Sequence, residues 1–314
     1  MTRWLIRRLA GVLVTLWVLA TLGFLLVELI PGDPARQLAG PIASNETVER
    51  IRHAYGFDRP LAERYVSTIG RYVVGDLGDS FSRSEPVRSV IARGIPRTLS
   101  LAGLAFIGEI ALGIPLAMFV TGSRSGRRRI ADASLVLGAS ATAAIPTFLL
   151  GLILLYLFAF RLPWFPLGGD QPLLALGSVL PALTVAVPYG LVLGRILRTS
   201  LLEELEKPYV RFAVSRGESL RRIRWRHVLP NALLPLFSLL ALDFAGLFAT
   251  VAVVEVVFSM QGLGSDLFTA IRRLDTSLIV GIAVVAGVVV ATVNLLADLA
   301  VLAVDPRVRR SELT

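Results

Sequence analysis

The 314-residue chain has no cysteine, a single lysine and two histidines, and each shortage removes a class of chemistry. Without cysteine there are no disulfides and no thiolate metal sites, and the redox compartment stays open. With Lys207 as the only lysine there is no Gly-x-x-x-x-Gly-Lys-Ser/Thr phosphate loop, so the chain does not hold ATP in that manner. His53 and His227 are too few for a histidine-rich metal site. No Gly-x-Ser-x-Gly elbow and no His-Glu-x-x-His pair occurs, and only a carboxylate-based intramembrane enzyme stays formally open. Charge is scarce too: 18% of residues are Asp, Glu, Lys or Arg, below an ordinary soluble domain.

What fills the space is apolar. Hydrophobic residues make up 54% of the chain and the mean hydropathy is +0.70, which reads as a membrane protein. Six stretches reach the roughly 20 residues that a helical span needs: 9–30, 99–120, 135–160, 179–196, 236–258 and 278–304. Helices satisfy their own backbone in lipid, so the expected fold class is all-α, with six transmembrane helices. Arg3, Arg7 and Arg8 before the first stretch resemble a signal peptide, but the run is long and ends at Glu28 and Pro31 with no small-residue cleavage pattern. It reads as a retained span.

Loop charge sets the expected orientation. Arg3, Arg7 and Arg8, then Arg124 and Arg127 to Arg129, then the eight basic residues of 198–230, then Arg307, Arg309 and Arg310 fall on one side. The short loops 161–178 and 259–277 opposite carry only Arg161, Arg272 and Arg273. The positive-inside rule therefore puts residues 1–8, 121–134, 197–235 and 305–314 in the cytoplasm, with both termini. Anionic lipid accounts for the net charge of +9, and no nucleic-acid partner is needed.

Residues 31–95 read as an extracytoplasmic helical domain between spans 1 and 2. Ser44 is placed to cap a helix that Gly56 stops, Pro60 to open a second that ends near Gly75, and Pro86 to open a third that Gly94 closes. Val48, Ile51 and Tyr55, then Leu61, Tyr65, Ile69 and Tyr72, make the apolar stripes of the first two. Asn45-Glu46-Thr47 has the form of a glycosylation acceptor, but capping explains the same residues.

Within the spans, Glu109, Asp243, Glu255 and Asp298 are costly in lipid and must face protein or a wet cavity. Glu109, Asp243 and Glu255 are candidates for a translocation path; end-of-helix positions explain Asp298 and Glu28. Small-residue ridges at Ala241, Ala245 and Ala249, and at Ala283, Gly287 and Ala291, suit close packing. Pro115, Pro146, Pro181 and Pro188 are placed to kink or break their helices.

The arm at 198–230 is the most informative segment. Span 4 is expected to run on through Leu205, with Glu203 and Lys207 paired. Pro208 starts a short helix presenting Tyr209, Phe212 and Ala213 on one side, Gly217 ends it in the left-handed conformation, and Ser219 caps a basic helix that stops at Leu229-Pro230.

These residues resemble the cytoplasmic loop of ATP-binding-cassette importer permeases. Ala213, Gly217 and the Leu229-Pro230 end fit its general pattern, and Tyr-Val-Arg-Phe-Ala-Val-Ser-Arg-Gly over 209–217 is similar to the peptide and nickel branch. Phe212, Val214 and Glu218 depart from that branch. Leu29 to Pro34, Gly75-Asp76-Leu77-Gly78, Val254 to Phe258 with Gly262-Leu263-Gly264, and Asp305-Pro306-Arg307 resemble its other landmarks in order. The resemblance implies one permease subunit of a binding-protein-dependent importer in a prokaryotic inner membrane, with di- or oligopeptides as the expected substrate. It also implies a second similar permease, two cytoplasmic ATPases that bind ATP and magnesium, and an external substrate-binding protein. No cofactor is expected on this chain, and no catalytic or metal residue. Tyr209, Arg211, Phe212, Ala213, Arg216 and Gly217 would couple to the ATPase. The alternatives are an ATP-independent secondary transporter working through the intramembrane carboxylates, a membrane scaffold, or the same importer class carrying nickel or another solute.

Overall fold

The structure is a computed structural model that describes residues 2–29, 33–40, 42–80, 82–122, 125–167, 175–273 and 275–304. Ile30 to Gly32, Arg124, and Asp305 with the Arg307, Arg309 and Arg310 cluster lie outside the described residues. The chain divides into two compact units, residues 1–96 with 262–292, and residues 97–261 with 293–314.

In the first unit, α1 (Thr2–Leu29) carries α4 (Leu61–Val73) on its flank. Tyr65 meets Phe24 edge to face, with centroids 5.5 Å apart, and its hydroxyl lies 2.8 Å from Thr21. Arg64 closes the end of the pair on Glu28, the end-of-helix role expected of that carboxylate. Burial holds the phenol of Tyr72, on the same stripe, up to about 12. Between them lie α2 (Pro34–Ala39), capped by Asp33, and α3 (Asn45–Tyr55), capped by Ser44 and ended by Gly56 at φ +68°. Pro60 sits at the cap position before α4, one residue earlier than expected.

The Gly75 to Gly78 landmark is a turn. Gly75 and Gly78 both have φ of +79°, and the Asp76 carboxylate accepts from Gly78 N–H and from Arg71 at 3.0 and 2.8 Å. Arg71, then that backbone N–H, holds the Asp76 carboxyl below the usual carboxylate range. The turn leads into a hairpin that helical periodicity did not foretell, β1 (Asp79–Ser80) paired antiparallel with β2 (Glu85–Pro86).

The expected third helix of this region does not close at Gly94. α5 runs unbroken from Val87 to Gly122, about 54 Å at 1.5 Å per residue. Gly94 is instead a contact point: a Cβ there would lie 2.8 Å from Leu263 of α13 (Leu263–Arg273). α14 (Thr276–Val304) begins at Asp275, which is fully buried. Its carboxylate accepts from Ser80 Oγ at 2.6 Å, Ser82 N–H at 3.0 Å and Leu278 N–H at 3.2 Å, so one group caps α14 and pins the hairpin. Gly287 does pack closely, against Leu19 of α1.

In the second unit, α6 (Ser125–Ala144) and α7 (Thr147–Leu154), the latter continued by a π-helical turn over Leu155–Arg161, are bent by 102° at Ile145-Pro146. The stretch expected as span 3 is therefore broken, because proline lacks an N–H and forces its predecessor out of the helical region. Pro188 lies inside the continuous α8 (Val179–Leu205), and Pro115 lies inside α5. α12 (Leu236–Val257) completes the apolar set.

The α5 and α8 backbones meet through glycine. A Cβ on Gly113 would lie 2.9 Å from the Gly190 carbonyl oxygen, and one on Gly108 2.9 Å from Ala186. Among the described residues, three helices are long and apolar enough to cross a membrane: Val87–Gly122, Leu176–Leu205 and Thr276–Leu299. The bent pair makes a fourth if it counts as one span.

Candidate functional site

The arm is built by packing. α8 overruns its apolar stretch as expected, burying Leu197, Leu201 and Glu204. Lys207 holds extended backbone at ψ 148° and Pro208 takes the first helical position, where its missing N–H costs nothing. From there α9 spans Pro208–Ser215.

Its end has the hydrogen bonds of a Schellman motif. Gly217 N–H donates to Val214 O at 2.9 Å and Glu218 N–H to Ala213 O at 3.2 Å, with Gly217 at φ +78°. Ser219 then caps α10 (Leu220–Ile223) by accepting from Arg222 N–H, as its sequence position suggested.

The basic helix does not stop at Leu229-Pro230. A π turn over Arg224–Val228 hands on to α11 (Leu229–Leu233), whose first turn accommodates Pro230. The predicted Glu203 to Lys207 pair is also replaced. Lys207 pairs with Glu204, which is buried and also accepts from the Tyr209 hydroxyl at 3.1 Å. Burial, and next the Glu204 carboxylate, push the Tyr209 phenol up to about 12, so it remains a donor.

α9 has two faces. Val210 and Ala213 turn inward, into one apolar cluster with Ala117 and Met118 of α5, Leu197 and Leu201 of α8, and Ile223, Val228 and Leu229 of the returning strand of helix. Arg211, Phe212, Val214 and Arg216 turn outward; Phe212 is 64% exposed, with the Arg216 guanidinium 5.9 Å from its ring centre. Phe212 and Ala213 therefore do not share a side: Ala213 anchors the helix and Phe212 is displayed. His227 and Glu218, 3.2 Å apart, tie the returning segment to the elbow. The Arg224 guanidinium lies against Gly122 at the end of α5.

Of the candidate path residues, Glu109 and Asp243 lie within electrostatic reach of each other, and Glu255 has a partner of its own. Phe106 and Phe244 meet edge to face with centroids 5.5 Å apart, so α5 and α12 touch one helical turn before Glu109 and beside Asp243. Glu109 is fully buried and Asp243 half-buried. Glu255 is buried and accepts from Thr98 Oγ1 at 2.6 Å. Asp298 is half-buried.

Three features escaped sequence reasoning: the Glu204 hub, the Arg198 to Asp132 pair at 2.6 Å joining α8 to α6, and the glycine crossing of α5 and α8. Gly190-x-x-x-Gly194 was a legible signal for the last. Among the described residues no group of three or more His, Cys, Asp or Glu is placed to hold a metal ion.

Comparison with known proteins points one way. Residues 113–310 match the family described as binding-protein-dependent transport system inner membrane component, and residues 1–102 match the N-terminal region of such membrane components. A Brucella abortus protein named as a peptide transport system permease is 35% identical over 98% of this chain and 99% of its own length. The glutathione transport system permease protein GsiC of Escherichia coli K12 is 31% identical over 98% of this chain and 99% of its own length. In fold, the chain is similar to a chain of the MetNI methionine ABC transporter in an inward-facing conformation, with a TM-score of 0.55 and 20% identity over 71% of this chain and 99% of that one.

Proposed function

The chain belongs to the family of binding-protein-dependent transport system inner membrane components, and from that premise we propose that it forms half of the translocation path of an ATP-driven importer for small peptides. As a family member it is the permease component of an ATP-binding-cassette importer, an inner-membrane protein whose kind works with ATPase and substrate-binding partners. The named relatives serve peptides and glutathione, itself a peptide, which supports the substrate class.

In this reading six spans cross the membrane with both termini inside, and residues 31–95 face the binding protein. A second, similar permease completes the path. ATP and magnesium belong to two ATPases, and this chain carries no catalytic residue. The ATP-independent alternative loses its basis with family membership.

The observation that carries the coupling role is the two-faced α9. A lever must be rigid on one side and available on the other. Val210 and Ala213 are locked into a cluster with the ends of α5 and α8, while Phe212 stands exposed beside Arg211 and Arg216. ATPase movement against the outer face would be transmitted through the anchored face into the span ends, and the differential contact between states supplies the driving free energy.

Replacing exposed Phe212 by Asp tests this without touching the packed core. Substrate uptake and co-purification of the ATPases are expected to be lost, while the permease reaches the membrane at its normal level. Undiminished uptake would remove α9 from the coupling role.

A further inference from the structure

Among the described residues four carboxylates in the apolar helices and at their ends are buried, and three of them have obvious occupations. Glu204 takes Lys207 and the Tyr209 hydroxyl. Asp275 takes Ser80, Ser82 and the cap of α14. Glu255 takes the Thr98 hydroxyl. Glu109 differs: it is 0% exposed, and no described residue donates a hydrogen bond to either of its oxygens.

An isolated buried carboxylate is among the most costly arrangements a helix bundle can hold. A residue kept only for packing would be apolar, and one kept to tie helices would have a donor, as the other three do. Its charged neighbour makes the position less comfortable still. Asp243 acts electrostatically on Glu109, across the contact of Phe106 with Phe244. A buried carboxylate without a donor, with a second carboxylate within electrostatic reach, defines a place for a cation.

We propose that Glu109 and Asp243 form the seat for the ammonium group of the peptide in transit, an inference that rests on the peptide-importer reading above. An ammonium offers three donors and a compact positive charge, which suits two neighbouring carboxylates. A bare divalent cation suits them less, because it demands six or more oxygen ligands, and the described residues offer no third His, Cys, Asp or Glu. Half-buried Asp243 is the outer member and meets the ammonium first. Glu109, fully buried on α5, becomes reachable when the helices around it shift in the transport cycle. Tyr189 of α8 stands 3.3 Å from Thr250, two turns beyond Asp243 on α12, and bounds the same face with hydroxyls instead of further charge.

The test uses uptake of dialanine and of N-acetyl-dialanine, which lacks the ammonium, by cells expressing the complete importer with wild-type, Glu109→Gln, Glu109→Asp or Asp243→Asn chains. The binding protein is the same in all four, so a change in the ratio of the two uptake rates reports on this chain alone. Glu109→Gln and Asp243→Asn are each expected to lower the ratio about tenfold, as loss of one charge-assisted hydrogen bond would, while Glu109→Asp keeps most of it. An unchanged ratio in both neutralised variants overturns the proposal, and so does an equal loss of both substrates, which marks a packing role. Wild-type cells that take up neither peptide overturn the peptide-importer reading itself, and the proposal with it.

Discussion

At the scale of single residues, what separates the buried acids is whether a donor comes with them. Asp275 satisfies three donors at once, and removing it strands a hydroxyl and two backbone N–H groups in a buried position. Asp275→Ala is expected to destabilise the protein by about 2–4 kcal/mol, seen as a lowered melting temperature of the purified permease, while Asp275→Asn, which keeps acceptor capacity, costs less. Gly217 works through its backbone alone. Its φ of +78° is strained for any side chain, yet nothing lies within 4 Å of where a Cβ would sit. Gly217→Val is therefore expected to cost about 1–2 kcal/mol and to disturb α9, with Gly217→Asn milder because asparagine enters this region more readily. Equal melting temperatures for the two would contradict the backbone account. The position of Gly217 was legible because glycine after a short polar helix is a local signal. The partner of Asp275 was not, since Ser80 lies 195 residues away in the chain.

At the scale of elements, α5 and α8 show how closely two helices approach when glycine lines their contact. Gly113→Leu would drive its side chain into the Gly190 carbonyl and Leu193. It is expected to destabilise the bundle by about 1–3 kcal/mol through overpacking, measured as lower yield and melting temperature, whereas exposed Leu242→Val on α12 should be nearly silent. The same scale explains which prolines break helices. Pro146 ends one and opens another, while Pro188 and Pro115 are absorbed inside long helices. All four candidate prolines look alike in sequence, because what decides the outcome is whether neighbouring helices hold the chain straight. The arm was legible as helix, turn and helix from Pro208, Gly217 and Ser219. Its inward and outward faces were not, since α9 is only eight residues long and the cluster that claims Val210 and Ala213 is assembled from α5, α8 and the returning helices.

At the scale of the whole molecule, orientation is the largest expectation open to direct measurement, and the absence of cysteine makes the experiment clean. Single cysteines at exposed Ser67 and Ser215 are expected to label differently with a membrane-impermeant maleimide in intact spheroplasts: Ser67→Cys at once, Ser215→Cys only after permeabilisation. The reverse order would invert the topology. Exposed apolar side chains on α5, on α7 and on the π-helical turn that continues it, such as Ile107, Phe119, Phe148 and Phe160, call for lipid or another chain to cover them. By itself the sequence determined the class of the molecule, a helical membrane protein with a polar elbow between apolar stretches, because hydropathy, proline and glycine act locally along the chain. It also carried the family landmarks, which are written in sequence order. Only the tertiary structure decided that Ala213 anchors and Phe212 is displayed, that Glu204 serves Lys207 and Tyr209, and that Glu109 is buried without a donor while Glu255 is taken by Thr98. Each of those is a choice among partners distant in sequence, made by how helices pack and invisible to any pattern within one of them.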